Sequence, residues 1–212
     1  MKHITKKYDL VVVGGGHAGL EAALISQKLG ISVLLVSMDK KSIGRMSCNP
    51  AIGGLAKGQM VRELDVLGGF MGFFADNCTL QSKTLNLSKG RAVWSPRSQI
   101  DKIKYEKTVQ RYLQKTNLPV VEGEAVLVSE KNGKIESVVL SSGEKIFCKV
   151  AILTCGTFLN GLIRIGEKKI KAGRMGEESA VGITESLKEL GFRAGRLKTG
   201  TPPRQRSAAY CP

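Results

Sequence analysis

The chain has 212 residues, with 33 Lys and Arg against 18 Asp and Glu, giving a net charge of +15 and a pI near 9.8. Hydrophobic residues at 42% and charged residues at 24% are globular proportions that exclude a wholly disordered chain, and 25 Gly with only 6 Pro and no strict repeat exclude collagen. No stretch approaches the roughly 18 apolar residues of a membrane helix, and the apolar run behind basic residues 1–7 is too short for a signal peptide.

In chain order, residues 8–13 form a Val-rich apolar run that reads as a buried strand. Residues 14–19 are a glycine turn, 18–29 a helix with small Ala18, Ala22 and Ala23, and 32–36 a second strand. Strand, helix and strand in this span make a βαβ unit and imply a parallel sheet. Residues 37–57 read as a long loop, and a structureless stretch of that size is usually functional. A helix follows, with Val61, Leu64 and Leu67 expected inward and Gly68 at its end. Ser98 reads as the N-cap of a helix whose apolar stripe is Tyr105, Val109, Tyr112 and Leu113. Between 118 and 153 the pattern turns to strands at 118–122, 125–129, 135–140, 145–147 and 150–153, with Asn132-Gly133 and Ser142-Gly143 as hairpin turns. A last helix is expected over 179–190. The fold class is therefore α/β: a Rossmann-like parallel sheet with a βαβ unit at 8–36, a functional loop at 37–57 and a small β-rich segment at 118–153.

Gly14-Gly15-Gly16-His17-Ala18-Gly19 satisfies G-x-G-x-x-G between a strand and a helix, the context that gives the string meaning. Gly14 permits a sharp turn, Gly16 lets a pyrophosphate approach bare backbone, and Gly19 lets helix and strand pack closely. The free N–H groups at the helix start then meet phosphate charge. Ser37, not an acid, follows the second strand, and Asp39 lies two residues on, so the turn alone does not separate FAD from NAD. His17 is read as a side chain packed over the cofactor phosphate or helix start, with a catalytic imidazole as the alternative.

Five cysteines, at 48, 78, 148, 155 and 211, form no C-x-x-C pair, and with only His3 and His17 beside them no metal site is expected. Reduced thiols in a cytoplasmic protein are the expectation. Cys48 lies in Ser47-Cys48-Asn49-Pro50-Ala51-Ile52-Gly53-Gly54, near Arg45 and Lys57, and could be either a thiol of lowered pKa or a buried inert one. Gly53 and Gly54 are expected to expose N–H groups as a second anion site. Positive charge is clustered: residues 83–115 hold nine Lys and Arg against two acids, and residues 164–206 hold eleven against five. Such clusters suit a polyanion, and nucleic acid is a candidate partner.

The sequence closely resembles the MnmG (GidA) family of FAD-dependent enzymes that modify the wobble uridine of certain tRNAs. The resemblance is carried by residues 14–19 with Glu21-Ala22-Ala23, residues 46–54, Lys89-Gly90, residues 92–97, Gly156-Thr157-Phe158-Leu159, Gly173-Arg174 and residues 195–204. It implies FAD, NADH as reductant, methylene-tetrahydrofolate as one-carbon donor, and glycine or ammonium. It also implies a cytoplasmic homodimer that works on tRNA with the GTPase partner MnmE to place a carboxymethylaminomethyl-type group on C5 of uridine 34. By position, Gly14, Gly15, Gly16, His17, Ala18 and Gly19 would hold the FAD pyrophosphate, Val126 would contact the adenine side, Ser179 would lie near the flavin, and Cys48 would be catalytic. The family lacks the acid after the second strand, so Asp39 is given no role.

Arg91 stands where the family usually has Pro, and the resemblance is read as ending at Arg204. Against the family the chain reads as incomplete: the rest of the FAD domain, the NADH region and the C-terminal region for tRNA and partner are expected to be missing, with weak flavin binding and no complete catalytic cycle. Alternatives are another FAD enzyme of the same fold, such as the folate-dependent tRNA methyltransferase or a succinate dehydrogenase-type flavoprotein, both disfavoured by the 47–54 loop, or a non-catalytic nucleotide- or RNA-binding fragment.

Overall fold

The structure, a computed structural model, describes residues 4–47 and 49–198. Its first unit is the expected one: β1 (Ile4–Val13), α1 (His17–Lys28) and β2 (Val33–Ser37), with β1 and β2 paired in parallel. The chain then leaves the sheet for a second layer made of β3 (Ala51–Gly53), α2 (Lys57–Val66), α3 (Met71–Cys78), β4 (Thr79–Leu85), β5 (Ser95–Ile100) and α4 (Lys102–Thr116). It returns through β6 (Val120–Glu122), β7 (Ala125–Lys131), β8 (Lys134–Leu140) and β9 (Lys145–Leu153), and ends in the hairpin β10 (Leu162–Ile165) and β11 (Lys168–Lys171) followed by α5 (Ile183–Glu189).

The main sheet has the order β6-β2-β1-β9-β8-β7. Its first four strands are parallel, and β8 and β7 continue it antiparallel. The unbroken apolar run of β1 is explained by burial on both faces. Leu10 and Val12 point to one face, where they pack with Leu20 and Leu24 of α1, Phe74 of α3, and Tyr105 and Val109 of α4. Val11 and Val13 point to the other, against Val128 of β7, Val138 of β8 and Ile183 of α5. A separate three-stranded antiparallel sheet, β3-β5-β4, stands beside this core.

Several expectations change. The 37–57 stretch contains a 3-10 turn at Lys40–Ser42 and strand β3. Ser98 lies inside β5, and the cap of α4 is Asp101, whose carboxylate accepts the Lys104 N–H at 3.0 Å. Leu64 and Leu67 point outward, at 36% and 76% exposure. Val61 packs inward as expected, and helix α2 is seated beside it through Gly58, where an added Cβ would stand 2.5 Å from the Pro96 carbonyl oxygen. The two short strands expected at 145–147 and 150–153 are one strand, β9. Helix α5 starts only at Ile183, so Ser179 precedes it. Among the described residues no helix is long and apolar enough to cross a membrane.

Candidate nucleotide-binding site

The site grows from the C-terminal ends of β1, β2 and β9. The Gly14 N–H donates to the Val36 carbonyl at 2.8 Å, and the Thr154 N–H donates to the Val13 carbonyl at 2.8 Å, so the turn is tied to both neighbouring strands. Its glycines then do different work. A Cβ on Gly14 would stand 2.5 Å from the Thr154 carbonyl oxygen, and one on Gly19 would stand 1.9 Å from that of Gly14. Gly15, to which the sequence assigned no separate task, lies under the next loop: its Cβ would meet Ile43 at 2.7 Å and the Ser37 hydroxyl at 2.8 Å. A Cβ on Gly16 would meet nothing within 4 Å.

The open side of Gly16 coincides with the start of α1. The helix makes its first bond from the Leu20 N–H to the Gly16 carbonyl, so the N–H groups of His17, Ala18 and Gly19 have no acceptor inside the helix. Among the described residues no side chain caps this end, and its first turn holds no acid. Uncapped donors, the positive helix end and a bare backbone approach together fit a diphosphate.

At the end of β2, Ser37 is buried and its hydroxyl donates to the Asp39 carbonyl at 2.9 Å. The Asp39 carboxylate accepts the Lys41 N–H at 2.8 Å and caps the 3-10 turn. Glu122, opposite Ser37 in the β2–β6 register, is the acid that reaches this edge, and it accepts the Lys40 N–H at 2.9 Å. No local pattern signals this contact, which depends on a strand pairing across more than eighty residues.

His17 packs edge-on against Tyr105, with ring centroids 5.7 Å apart, and its Nδ1 is buried with no hydrogen-bond partner among the described residues. Burial, and secondarily the positive charge of Arg174, hold its pKa below the ordinary histidine value. Arg174 belongs to a chain of charges that sequence reasoning missed. Glu106 of α4 pairs with Arg45 at 3.4 Å, Arg45 with Glu177 at 3.4 Å, and Glu177 with Arg174 at 3.7 Å. The Arg174 guanidinium lies 5.0 Å from the Phe158 ring centroid and donates to the Ser47 hydroxyl. Residues 45–47 are thereby fastened to α4 and to the 173–177 segment. Cys48 itself lies outside the described residues.

Val126 lies beside the segment that follows Ser179. Gly182, three residues after Ser179, abuts Val126, since its Cβ would stand 2.7 Å from the Val126 carbonyl oxygen. The Gly123 N–H donates to the Ser37 carbonyl at 2.9 Å and brings the start of β7 to the end of β2. Ser179 is two residues from Glu177 of the charge chain. The second anion site expected at Gly53 and Gly54 does not form: the Gly54 N–H is committed to the Pro96 carbonyl at 2.8 Å. Cys155, next to the turn, has its thiol pKa raised by burial, as does Cys148.

The family model described as glucose inhibited division protein A matches residues 9–209. The chain belongs to the glucose inhibited division protein A family. The match runs past Arg204, where the sequence reading ended it. Among curated GidA relatives, the tRNA uridine 5-carboxymethylaminomethyl modification enzyme MnmG of Flavobacterium johnsoniae is 51% identical over 94% of this chain and 32% of its own length. The MnmG of Cytophaga hutchinsonii is 52% identical over 93% of this chain and 32% of its own length. The crystal structure of Aquifex aeolicus GidA superposes with a TM-score of 0.86 at 42% identity, covering 91% of this chain and 32% of that one. The chain thus spans about a third of the length of the relatives it matches.

Proposed function

We propose that this GidA-family chain binds FAD through its glycine turn and takes part in carboxymethylaminomethylation of C5 of wobble uridine 34 in tRNA. The observation that carries the reading is the open, uncapped cradle at Gly16 and the start of α1, found in a chain that shares half its residues with MnmG relatives. In this reading the N–H groups of residues 17–19 receive the FAD diphosphate, Val126 borders the adenine end and Ser179 the flavin end. FAD supplies the redox chemistry, NADH the electrons, methylene-tetrahydrofolate the carbon, and glycine or ammonium the amine. The working form is a cytoplasmic homodimer acting with the GTPase MnmE.

The chain's own chemical contribution is placed at Cys48. Uridine C5 is a poor nucleophile. Addition of a thiolate to C6 forms an S–C6 bond and moves the C5–C6 electron pair into an enolate, from which C5 bonds to the electrophilic methylene carbon of the one-carbon donor while that carbon's C–N electron pair passes to nitrogen; loss of the C5 proton and expulsion of the thiolate then restore the ring. Arg174, bonded to Ser47, sets positive charge beside this segment, which favours a thiolate.

Two measurements test the reading. FAD titrated into the protein should quench its fluorescence with saturation, and ADP should compete; binding of NAD in preference to FAD would refute the cofactor assignment. In a strain that depends on this protein, C48S should abolish the uridine 34 modification seen by nucleoside mass spectrometry. Unchanged modification with normal FAD content would remove Cys48 from the chemistry.

A further inference from the structure

Outside the nucleotide site, the β4–β5 hairpin carries an electrostatic arrangement that the fold does not call for. Residues 79–100 contain Lys83, Lys89, Arg91 and Arg97 and no acid. Lys83 and Arg97 are directly opposed across the antiparallel pair, so they share one face, and both are exposed. Neither has an acidic partner among the described residues. Like charges directly opposite in a sheet cost stability. Two other hairpins also oppose like charges: Lys131 and Lys134 at the β7–β8 turn have Glu130 and Glu136 in the same two strands, and Arg164 and Lys169 in β10–β11 have Glu167 in the turn between them.

The rest of the hairpin face fits the same ligand chemistry. Gln81 and Gln99 are paired beside the two cations, and Ala51 of β3 completes that row. At the hairpin end, Trp94 is 39% exposed, its indole N–H is fixed to the Leu87 carbonyl at 3.2 Å, and Arg91 lies 5.7 Å from its ring centroid. Cations interleaved with an aromatic platform and neutral polar groups suit a polynucleotide backbone, with a base free to stack. The sheet also takes in the end of the 47–54 stretch: β3 begins at Ala51, and the Ile100 N–H donates to the Pro50 carbonyl at 2.7 Å.

We propose that the β4–β5 face is an RNA-docking surface, on which Lys83 and Arg97 hold adjacent phosphates of the substrate strand. The proposal rests on the reading that RNA is the substrate and adds where this chain grips it. Relief of the Lys83–Arg97 repulsion by phosphate explains why the pair is kept on an exposed face.

The test uses the 212-residue chain and labelled unmodified tRNA, with binding followed by anisotropy over a salt series. K83E/R97E should weaken binding at low salt at least 10-fold and reduce the slope of log K against log salt by about 1.5, since each phosphate contact contributes roughly 0.7–0.9. K131E/K134E, which changes the net charge equally, should leave the slope unaltered. Single K83E, which places Glu opposite Arg97, should raise the melting temperature while lowering RNA affinity, a combination that a purely structural role does not produce. A slope unchanged in K83E/R97E, or lowered equally by K131E/K134E, overturns the surface but leaves the enzymatic reading standing. Failure of the wild-type chain to bind tRNA also overturns it, and the FAD titration decides the cofactor reading separately. If polyglutamate binds with the same salt slope and the same loss in K83E/R97E, the face belongs to an acidic protein partner and the RNA assignment falls.

Discussion

At the 14–19 turn, Gly14, Gly15 and Gly19 are crowded by backbone or core atoms and Gly16 faces open space; at 53–54, Gly53 is crowded by the Pro96 carbonyl and Gly54 faces open space. The two open glycines are not equivalent. Gly54 has φ +105°, a region that L side chains rarely adopt, so the backbone demands glycine there, and its N–H is already spent on Pro96. Gly16 has φ −70°, which any residue can adopt, and the N–H groups that follow it lack helical acceptors. The fold does not need glycine at 16. The difference separates a turn shaped for its own chain from a turn whose backbone donors stay open.

The largest effect that would break this comparison lies at Gly19. G19A puts a Cβ 1.9 Å from a backbone oxygen that the Thr154 hydroxyl also holds, so neither side can yield cheaply. The expected loss is about 3 kcal/mol or more, read from the midpoint of denaturant unfolding. G16A is the counterpart: a cost of about 1 kcal/mol or less in stability, with FAD affinity reduced at least 10-fold. If G16A keeps its FAD affinity, the cradle is only a tight turn.

A smaller effect is expected at the charge chain. Its side chains are about a third exposed, so R174A should cost no more than about 1 kcal/mol in water-screened pairing. The informative readout is thiol chemistry. Loss of the cation bonded to Ser47 should slow alkylation of Cys48 at neutral pH, while buried Cys78 and Cys148 stay protected. An unchanged Cys48 rate would detach Arg174 from the thiol's reactivity.

What the sequence made legible follows from how local each cause is. The βαβ unit could be read because β1 is a continuous apolar run closed by a glycine string that lies within six residues. Helix α4 was readable from one stripe, Tyr105, Val109 and Leu113, but its cap was misplaced because Ser98 and Asp101 are both good caps and only the pairing of β5 with β4 excludes Ser98. Strand β4, Thr-Leu-Gln-Ser-Lys-Thr-Leu, lacks apolar alternation because nearly all of it is exposed, so no periodic signal marked it. Helix α2 misled for a related reason: its apolar Leu64 and Leu67 are not its packed face, which is set by Gly58 against Pro96. The Glu106–Arg45–Glu177–Arg174 chain joins three distant stretches and had no local signature.

The smallest expected effect concerns the proton balance of His17. Burial first, and then Arg174, keep its imidazole neutral in the folded state at pH values where the unfolded histidine, with a pKa of about 6.5, takes a proton. The unfolded chain therefore binds more protons in that window, so stability rises with pH between the lowered folded pKa and the unfolded one, and is lost as pH falls through it. Glu21 acts with the opposite sign in the carboxylate range: burial raises its pKa although its carboxylate accepts the Phe70 N–H, so its contribution weakens stability as pH rises there. The difference in unfolding free energy between wild type and H17Q, measured across pH, isolates the histidine. It should change with pH only in the window just below the ordinary histidine pKa, and saturating FAD should narrow that window, because diphosphate charge at the cradle favours the imidazolium. A difference curve that is flat in pH would mean that the unpartnered Nδ1 of His17 is satisfied in solution, and that the start of α1 is less bare than its geometry indicates.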